Sequence, residues 1–434
     1  MLRPLLPPIG LVKNHEAKND SLSCSSGSSI TSIEGSQGAA PPKIYREGEV
    51  VWVSMLQAGR KPLEESIPFW PGVIANVELE LGCKEGCRSN VVGFNVYAVH
   101  LLGTTVTTER TYDADIIPYL GYHPSAELNA LAAKYEALPR SAIQALVDSW
   151  KSRGEGINGK GGRPIALESV TPSYLAAVHA GESIASSYSV DYPCWLPEEN
   201  DKDQKNQYYQ GIWWGCERIW MFDLVRLKAE RRQFPDEVQA CFLPVSERSS
   251  VTGSLFLHIS AIYEPKESDL HDAIPSLTGM LYEITAVAGD GAGGASQSTA
   301  LSSASNEVAD VGGKLLPPAP THSSWKSVLG SGDCVTIPAN LIAGRYYPEI
   351  HRHPRIPQLG SSPVPETLPY GVISDHAKIP RQLLSLAGLE RGWLCQTKSN
   401  WRTKVRRDAM QRALATAENR VQEWINRLLQ NLAS

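Results

Sequence analysis

Four short runs of β-branched and aromatic residues dominate residues 45–122: Val50-Val51-Trp52-Val53, Val73-Ile74-Ala75-Asn76-Val77, residues 94–102 and Ile116-Ile117. Gly, Asn and Pro separate them, as in the Gly48-Glu49 turn before the first run and Pro118 after the last. Runs this short do not make helices, and the breaks between them force chain reversals. The segment is therefore restricted to a small β unit, and a small barrel is the expected form.

The pattern then changes period. Leu128, Leu131, Ala132, Tyr135 and Leu138 recur at helical spacing up to Pro139, and Ile143, Leu146, Val147 and Trp150 repeat it. A second β-rich region opens at Tyr208, with runs at Ile212-Trp213-Trp214, Arg218-Ile219-Trp220-Met221, Leu224-Val225-Arg226-Leu227, residues 255–263 and residues 280–287. From Pro380 helices are expected, and a final amphipathic helix is predicted over residues 404–432, with Val405, Ala409, Leu414, Ala417, Val421, Trp424, Ile425, Leu428 and Leu432 on its apolar face.

Between these regions the sequence reads as connection. Residues 21–36 are mostly Ser, Gly and Thr and bury nothing that offsets chain entropy, so residues 1–42 are expected to be disordered. Residues 154–205 read as a linker, on the Gly-rich stretch 154–162 and the acidic run 198–203. Residues 289–320 are rich in Gly, Ala, Ser and Pro, and an insertion loop is expected over 288–322. The expected division is thus 1–42 disordered, 43–153 the first β unit with helices, 154–205 linker, 206–350 the second β unit, and 351–434 a helical C-terminal segment.

Composition narrows the function classes. The 434 residues carry a net charge of -5, which argues against nucleic-acid binding through a wholly basic surface. The eight Cys are scattered, Pro4, Pro7 and Pro8 break the apolar N-terminal stretch, and no run approaches the roughly 20 apolar residues of a membrane span. A soluble intracellular protein with reduced thiols is expected. Cys83 and Cys87 lack the second ligand pair of a structural zinc site, and His351 and His353 read as loop residues. Gly289 to Gly294 is not followed by the Lys-Ser/Thr of a phosphate loop. No nucleophile elbow, zinc-protease helix or kinase set is present. Neither catalysis nor a cofactor, metal or small-molecule substrate is expected, with an enzyme of unrecognised type as the last alternative.

Two stretches carry family resemblances. Gly48-Glu49-Val50-Val51-Trp52-Val53, the box Pro68-Phe69-Trp70-Pro71, residues 97–104 and Ile116-Ile117-Pro118-Tyr119 occur in the order of the PWWP branch of Tudor-like chromatin domains, and the segment resembles that branch. The resemblance implies an aromatic cage that holds methylated lysine by cation–π attraction. The box tryptophan falls at Trp70, whereas the other two cage walls fall at Ile67 and Leu101, both aliphatic. Trp70 either plugs the barrel's open end or meets a partner, and Tyr45, Tyr97 and Tyr112 are available for a different cage. Phe69, Trp70 and Tyr97 are the candidate histone- or partner-binding residues.

Gly211-Ile212-Trp213-Trp214-Gly215-Cys216-Glu217-Arg218-Ile219-Trp220-Met221-Phe222-Asp223-Leu224-Val225-Arg226-Leu227 resembles the core signature of the fungal transcription-silencing family cryptic loci regulator 2, with Phe222 where that signature has Gly. Residues 256–263, 279–283 and 344–348 extend the likeness over about 208–350. The resemblance implies a barrel of bromo-adjacent-homology (BAH) type in a nuclear complex with a histone deacetylase and a remodelling motor. From the residues themselves, Glu217, Arg218, Asp223 and Arg226 lie among apolar positions and need partners. They serve either as structural ion pairs or as a ligand surface. Trp213, Trp214 and Trp220 are likewise either core or interface.

The C-terminal stretch adds one more candidate. Lys398, Arg402, Lys404, Arg406 and Arg407 flank Trp401, a composition that holds phosphates in a salt-dependent way. Cations at a helix start oppose the macrodipole, which hints at a use in binding DNA, RNA or an import receptor. The reading as a whole is an α+β chain with two small SH3-like or BAH-like β-barrels, accessory helices and a helical C-terminus. It is expected to act in the nucleus as a non-catalytic scaffold or targeting subunit of a heterochromatin-silencing complex. Its partners would be protein subunits, with nucleosome or DNA reached through the basic helix. An autonomous histone or nucleic-acid reader is the alternative.

Overall fold

The computed structural model describes residues 10–12, 44–55, 67–83, 91–124, 137–153, 167–194, 206–244, 253–265, 274–286, 316–320, 323–330, 332–356, 380–390, 395–398, 402–403 and 405–430, with single positions between 128 and 135. Apart from 10–12, the expected disordered N-terminus lies outside the described residues, as do Cys87, Trp401, Lys404 and most of the expected insertion loop.

The chain is a mixed α/β protein whose sheets are antiparallel. In order, the strands are β1 (Gly10–Val12), β2 (Val50–Ser54), β3 (Phe69–Cys83), β4 (Val91–Leu101), β5 (Thr107–Tyr112), β6 (Ile116–Pro118), β7 (Tyr188–Val190), β8 (Pro193–Cys194), β9 (Asn206–Tyr209), β10 (Gly211–Trp214), β11 (Glu217–Trp220), β12 (Leu224–Leu227), β13 (Leu255–Pro265), β14 (Ser276–Ala286), β15 (Ser323–Ser327), β16 (Cys334–Pro338) and β17 (Ile342–Arg345). The α-helices are α1 (Arg140–Arg153), α2 (Leu167–Ser186), α3 (Asp236–Gln239), α4 (Arg381–Leu386) and α5 (Arg406–Gln430).

The first sheet runs β5-β4-β3-β2-β6. Its outer strands β5 and β6 are consecutive in sequence but lie at opposite edges. No pairing joins them among the described residues, so the ladder is open where a closed barrel was expected. Register shifts between Ile74 and Asn76 on β3 and between Tyr97 and Val99 on β4 are the kind of irregularity that bends a sheet over its core. A second sheet follows β1-β16-β14-β13-β12-β17, with β15 on β14 and β9 on β13 carrying β8. A small third sheet, β11-β10-β7, lies apart from both ladders. Neither of these is a closed ladder among the described residues.

The expected linker is corrected over α2, a helix of 20 residues. Its period was hidden because its inward positions are mostly small: Ala176, Ala177, Ala180 and Gly181. Gly181 is required there, since a Cβ would sit 2.5 Å from the Tyr119 hydroxyl. The predicted final helix is present as α5, and it buries Ala409, Ala413, Ala417, Val421 and Leu428. These small side chains let α5 and α2 approach closely.

The core beneath the first sheet is shared. Trp52, Phe69, Trp70, Leu101 and Ile117 belong to one buried cluster with Ala177 and Ile184 of α2, Leu383 and Leu386 of α4, and Ala417 and Val421 of α5. A second cluster, including Ile212, Val225, Leu257, Leu281 and Ile337, fills the β-rich region after residue 208.

Candidate functional site

The box at residues 68–71 enters β3 opposite β2, with Trp70 paired to Val53 and Phe69 to Ser54. Consecutive residues on a strand point to opposite faces, so the two rings leave the sheet on different sides, yet neither has measurable exposure. The Trp70 indole N–H donates to the Leu102 carbonyl at 2.9 Å, and its ring meets Tyr174 of α2 edge-on at 5.3 Å. Phe69 packs on Tyr122 at 4.9 Å. Tyr97 is also buried, and its hydroxyl donates to Asp113 Oδ1 at 2.6 Å. Phe69, Trp70 and Tyr97 are therefore core residues, which corrects their candidacy as a partner-binding surface. Each is covered by a different part of the chain: Trp70 by Tyr174 of α2, Phe69 by Tyr122, and Tyr97 by Tyr45 and Asp113.

The alternative cage is filled as well. Tyr45 lies 5.8 Å from Tyr97 and 6.2 Å from Tyr347. The cation over Tyr347, at 5.0 Å, is the chain's own Arg345. Tyr112 does not join them and meets Phe94 instead.

Arg345 belongs to a charged seam that the sequence showed only in halves. Glu49, which is 1 % exposed, accepts from Arg345 Nη2 at 2.8 Å, from the Arg218 amide at 2.8 Å and from the Arg46 amide at 3.0 Å. Glu217 Oε2 accepts from the Arg345 amide at 2.7 Å, and Arg226 Nε donates to the Arg345 carbonyl at 2.9 Å. Burial pushes the Glu217 carboxyl up, against the pull of Arg226 and Arg345. Burial also pushes the Arg226 guanidinium down, against Glu217. Gly344, at φ +144°, leaves the space both groups need, since a Cβ there would lie 2.6 Å from Glu217 Oε2 and 3.0 Å from Arg226 Nη2.

Around this buried centre lies a partly buried rim of ion pairs. Arg46 forks onto Asp223 at 2.5 and 2.6 Å and also donates to the Arg218 carbonyl. Arg218 Nε donates to Asp191 at 2.6 Å, and its guanidinium lies 4.1 Å from the Trp220 ring, 4.9 Å from Trp213 and 5.8 Å from Tyr192. Arg218 and Asp223 thus form ion pairs, as one of the two readings expected, whereas Glu217 and Arg226 bond the backbone of Arg345. The partners were not foreseen, because Arg46, Glu49 and Arg345 are far away in sequence. The available signal was Glu49, the carboxylate that directly adjoins the apolar run Val50 to Val53.

The basic C-terminal stretch is divided by the fold. Arg402 is paired with Glu264 at 2.8 Å. Arg406 turns inward, 4.7 Å from the Trp213 ring, with Nη1 on the Gly215 carbonyl at 2.7 Å. Burial pushes its guanidinium down to about 10. Lys398 and Arg407 remain exposed, and Trp401 and Lys404 lie outside the described residues. The five-cation face expected from sequence is not assembled, because Arg402 and Arg406 serve to dock the chain before α5.

His351 and His353, expected in a loop, are instead buried, and His353 Nε2 lies 3.0 Å from the Asp113 carbonyl. Two clefts border α5. One, of about 350 Å³, is lined by Leu175, His179, Arg420 and Trp424, and the other, of about 240 Å³, by Ser183, Arg402, Arg412 and Thr416. No group of three or more His, Cys, Asp or Glu with metal-ligating geometry occurs among the described residues.

No curated protein matches the chain. A solved structure, "Structure of Clr2 bound to the Clr1 C-terminus", aligns at 15% identity over 84% of this chain and 57% of that one, with a TM-score of 0.39. The chain therefore spans little more than half of that relative's length. Residues 208–348, which hold the Glu217–Arg226 half of the seam and Arg345, match the family model for the transcription-silencing protein Clr2.

Proposed function

We propose that this chain is a non-catalytic nuclear subunit of a transcription-silencing complex that works by scaffolding and targeting, with the chemistry done by deacetylase and remodelling partners. The match of residues 208–348 to the silencing family carries this reading. The use made of the matched residues supports it. Arg218, Asp223 and Arg345 bond the β-rich region directly to Arg46 and Glu49, and Glu217 and Arg226 hold the backbone of Arg345 in place. Charges used this way build a platform. The two β units are then a Tudor-like sheet over residues 43–153 and a BAH-like region over 206–350, adapted to protein and chromatin contacts rather than to methyl-lysine capture at Trp70. Affinity purification of the tagged chain from nuclear extract is expected to bring down a deacetylase or a remodeller. A chain that purifies alone and from the cytosol overturns the reading.

A second reading, a direct nucleosome or DNA contact, is favoured by the exposure of Arg407 in the first turn of α5 and of Lys398 ahead of it. Charge reversal of both is expected to weaken nucleosome binding and flatten its salt dependence. If binding is unchanged, the contact lies elsewhere or is absent.

A further inference from the structure

The last residues of the expected insertion loop are seated on the fold. Leu316-Pro317-Pro318-Ala319-Pro320 run against Phe256, Trp325 and Tyr346, three rings in mutual edge-on contact at 4.9, 5.2 and 5.7 Å. The Trp325 indole N–H donates to the Pro317 carbonyl at 2.7 Å, and the Tyr346 hydroxyl donates to the Pro318 carbonyl at 3.0 Å. Leu316 packs into the same aromatic cluster, and Pro320 is buried.

This chemistry suits one kind of ligand. Proline rings fix φ, and a proline holds the residue before it in extended backbone, so Leu-Pro-Pro-Ala-Pro is preset toward the polyproline helix. That helix makes no internal hydrogen bonds and leaves every carbonyl unpaired. With about three residues per turn, successive carbonyls point roughly 120° apart. Here adjacent carbonyls are taken by donors on two rings inclined at 84°. Aromatic walls with an indole N–H and a phenol O–H aimed at proline carbonyls are the features by which proline-rich segments are recognised.

In sequence, residues 287–315 lie between this strap and the end of β14. At its other end the Ser323 N–H of β15 donates to the Pro320 carbonyl at 3.0 Å, so Pro320 stays anchored while residues 316–319 carry the contacts to be exchanged. We propose that the Phe256–Trp325–Tyr346 face is a recognition groove for proline-rich segments, held in cis by residues 316–319, and that a partner's proline-rich segment takes their place.

The test uses the full chain and a synthetic Leu-Pro-Pro-Ala-Pro peptide, followed through the Trp325 indole resonance, which Trp325→Phe identifies. A tethered strap competes at high effective concentration, so the wild-type chain is expected to show a weak but saturable shift at millimolar peptide. A Pro317→Gly, Pro318→Gly chain is expected to bind on the order of a hundredfold more tightly. Adding Tyr346→Phe to that chain is expected to cost roughly tenfold. Equal binding by a peptide with alanine at the proline positions overturns the proposal, as does indifference to Tyr346→Phe. If the strap variant does not fold, the wild-type titration decides: no saturable shift at millimolar peptide overturns the proposal.

Discussion

At the scale of single residues, Phe222 marks the clearest local conflict. It holds φ +71°, a left-handed conformation that favours glycine, in the turn between β11 and β12. The position was singled out in the sequence by its likeness to a signature with Gly there, and a left-handed φ is the conformation in which glycine is favoured. Forcing an L-residue into this region costs about 1–2 kcal/mol. The ring is 44 % exposed and recovers only part of that. Phe222→Gly is therefore expected to stabilise the chain by about 1 kcal/mol, seen as a higher urea midpoint at unchanged m-value.

Trp70 gives the opposite lesson. A ring this deeply buried makes Trp70→Ala a folding variant, with an expected loss of about 3–5 kcal/mol in denaturant unfolding. Loss of nucleosome binding in such a variant would say nothing about a cage.

Asp113 supplies a pH dependence. Burial raises its carboxyl above the ordinary 3.8, against hydrogen bonds from Tyr97 and Asn95. The folded chain then holds this proton more tightly than the unfolded one. Its contribution to stability is greatest at low pH and declines as pH rises from about 3.8 through the raised value. Asp113→Asn is expected to remove that decline from a plot of unfolding free energy against pH, and an unchanged slope contradicts it.

At the scale of elements, α2 and α5 show why small residues make a helix hard to find. The apolar period of α5 was legible because Val421, Trp424, Ile425 and Leu428 mark one face. The inward face of α2 is built largely from alanines and Gly181, which carry little hydropathic contrast. Helix propensity alone favours Gly181→Ala by about 1 kcal/mol. The packing decides otherwise, because the new Cβ would meet Tyr119 Oη, Cε2 and Cζ at 2.5, 2.7 and 2.8 Å. Gly181→Ala is expected to lower thermal stability, and a gain would mean that Tyr119 moves aside freely.

At the scale of the whole molecule, the two β regions are joined by shared core and shared charge. The core of the first sheet includes side chains from α2, α4 and α5. A fragment of residues 43–153 is therefore expected to lack a cooperative urea transition, although the sequence divides there. Breaking a buried ion pair by removing one partner costs about 3–5 kcal/mol. Arg345→Met, which leaves Glu49 buried without its guanidinium partner while Glu217 keeps the backbone amide of residue 345, is expected to fall in that range.

The sequence by itself determined the more apolar strands, β2 to β4, β6 and β10 to β14, the final helix and the segment that carries the family likeness, because these depend on local period and on residues close together in the chain. The short or polar strands β1, β5, β7 to β9 and β15 to β17 carry too little contrast to be read this way. It also marked Glu217 and Arg226 as needing partners. Only the tertiary structure decided that Phe69, Trp70 and Tyr97 are core, that Arg402 and Arg406 are engaged rather than displayed, and that a proline-rich strap lies on an aromatic groove. The physical reason is the same in each case. Whether a side chain is available depends on what covers it, and α2, residues 44–49 and Glu264 come from parts of the chain that no local pattern connects to the residues they cover.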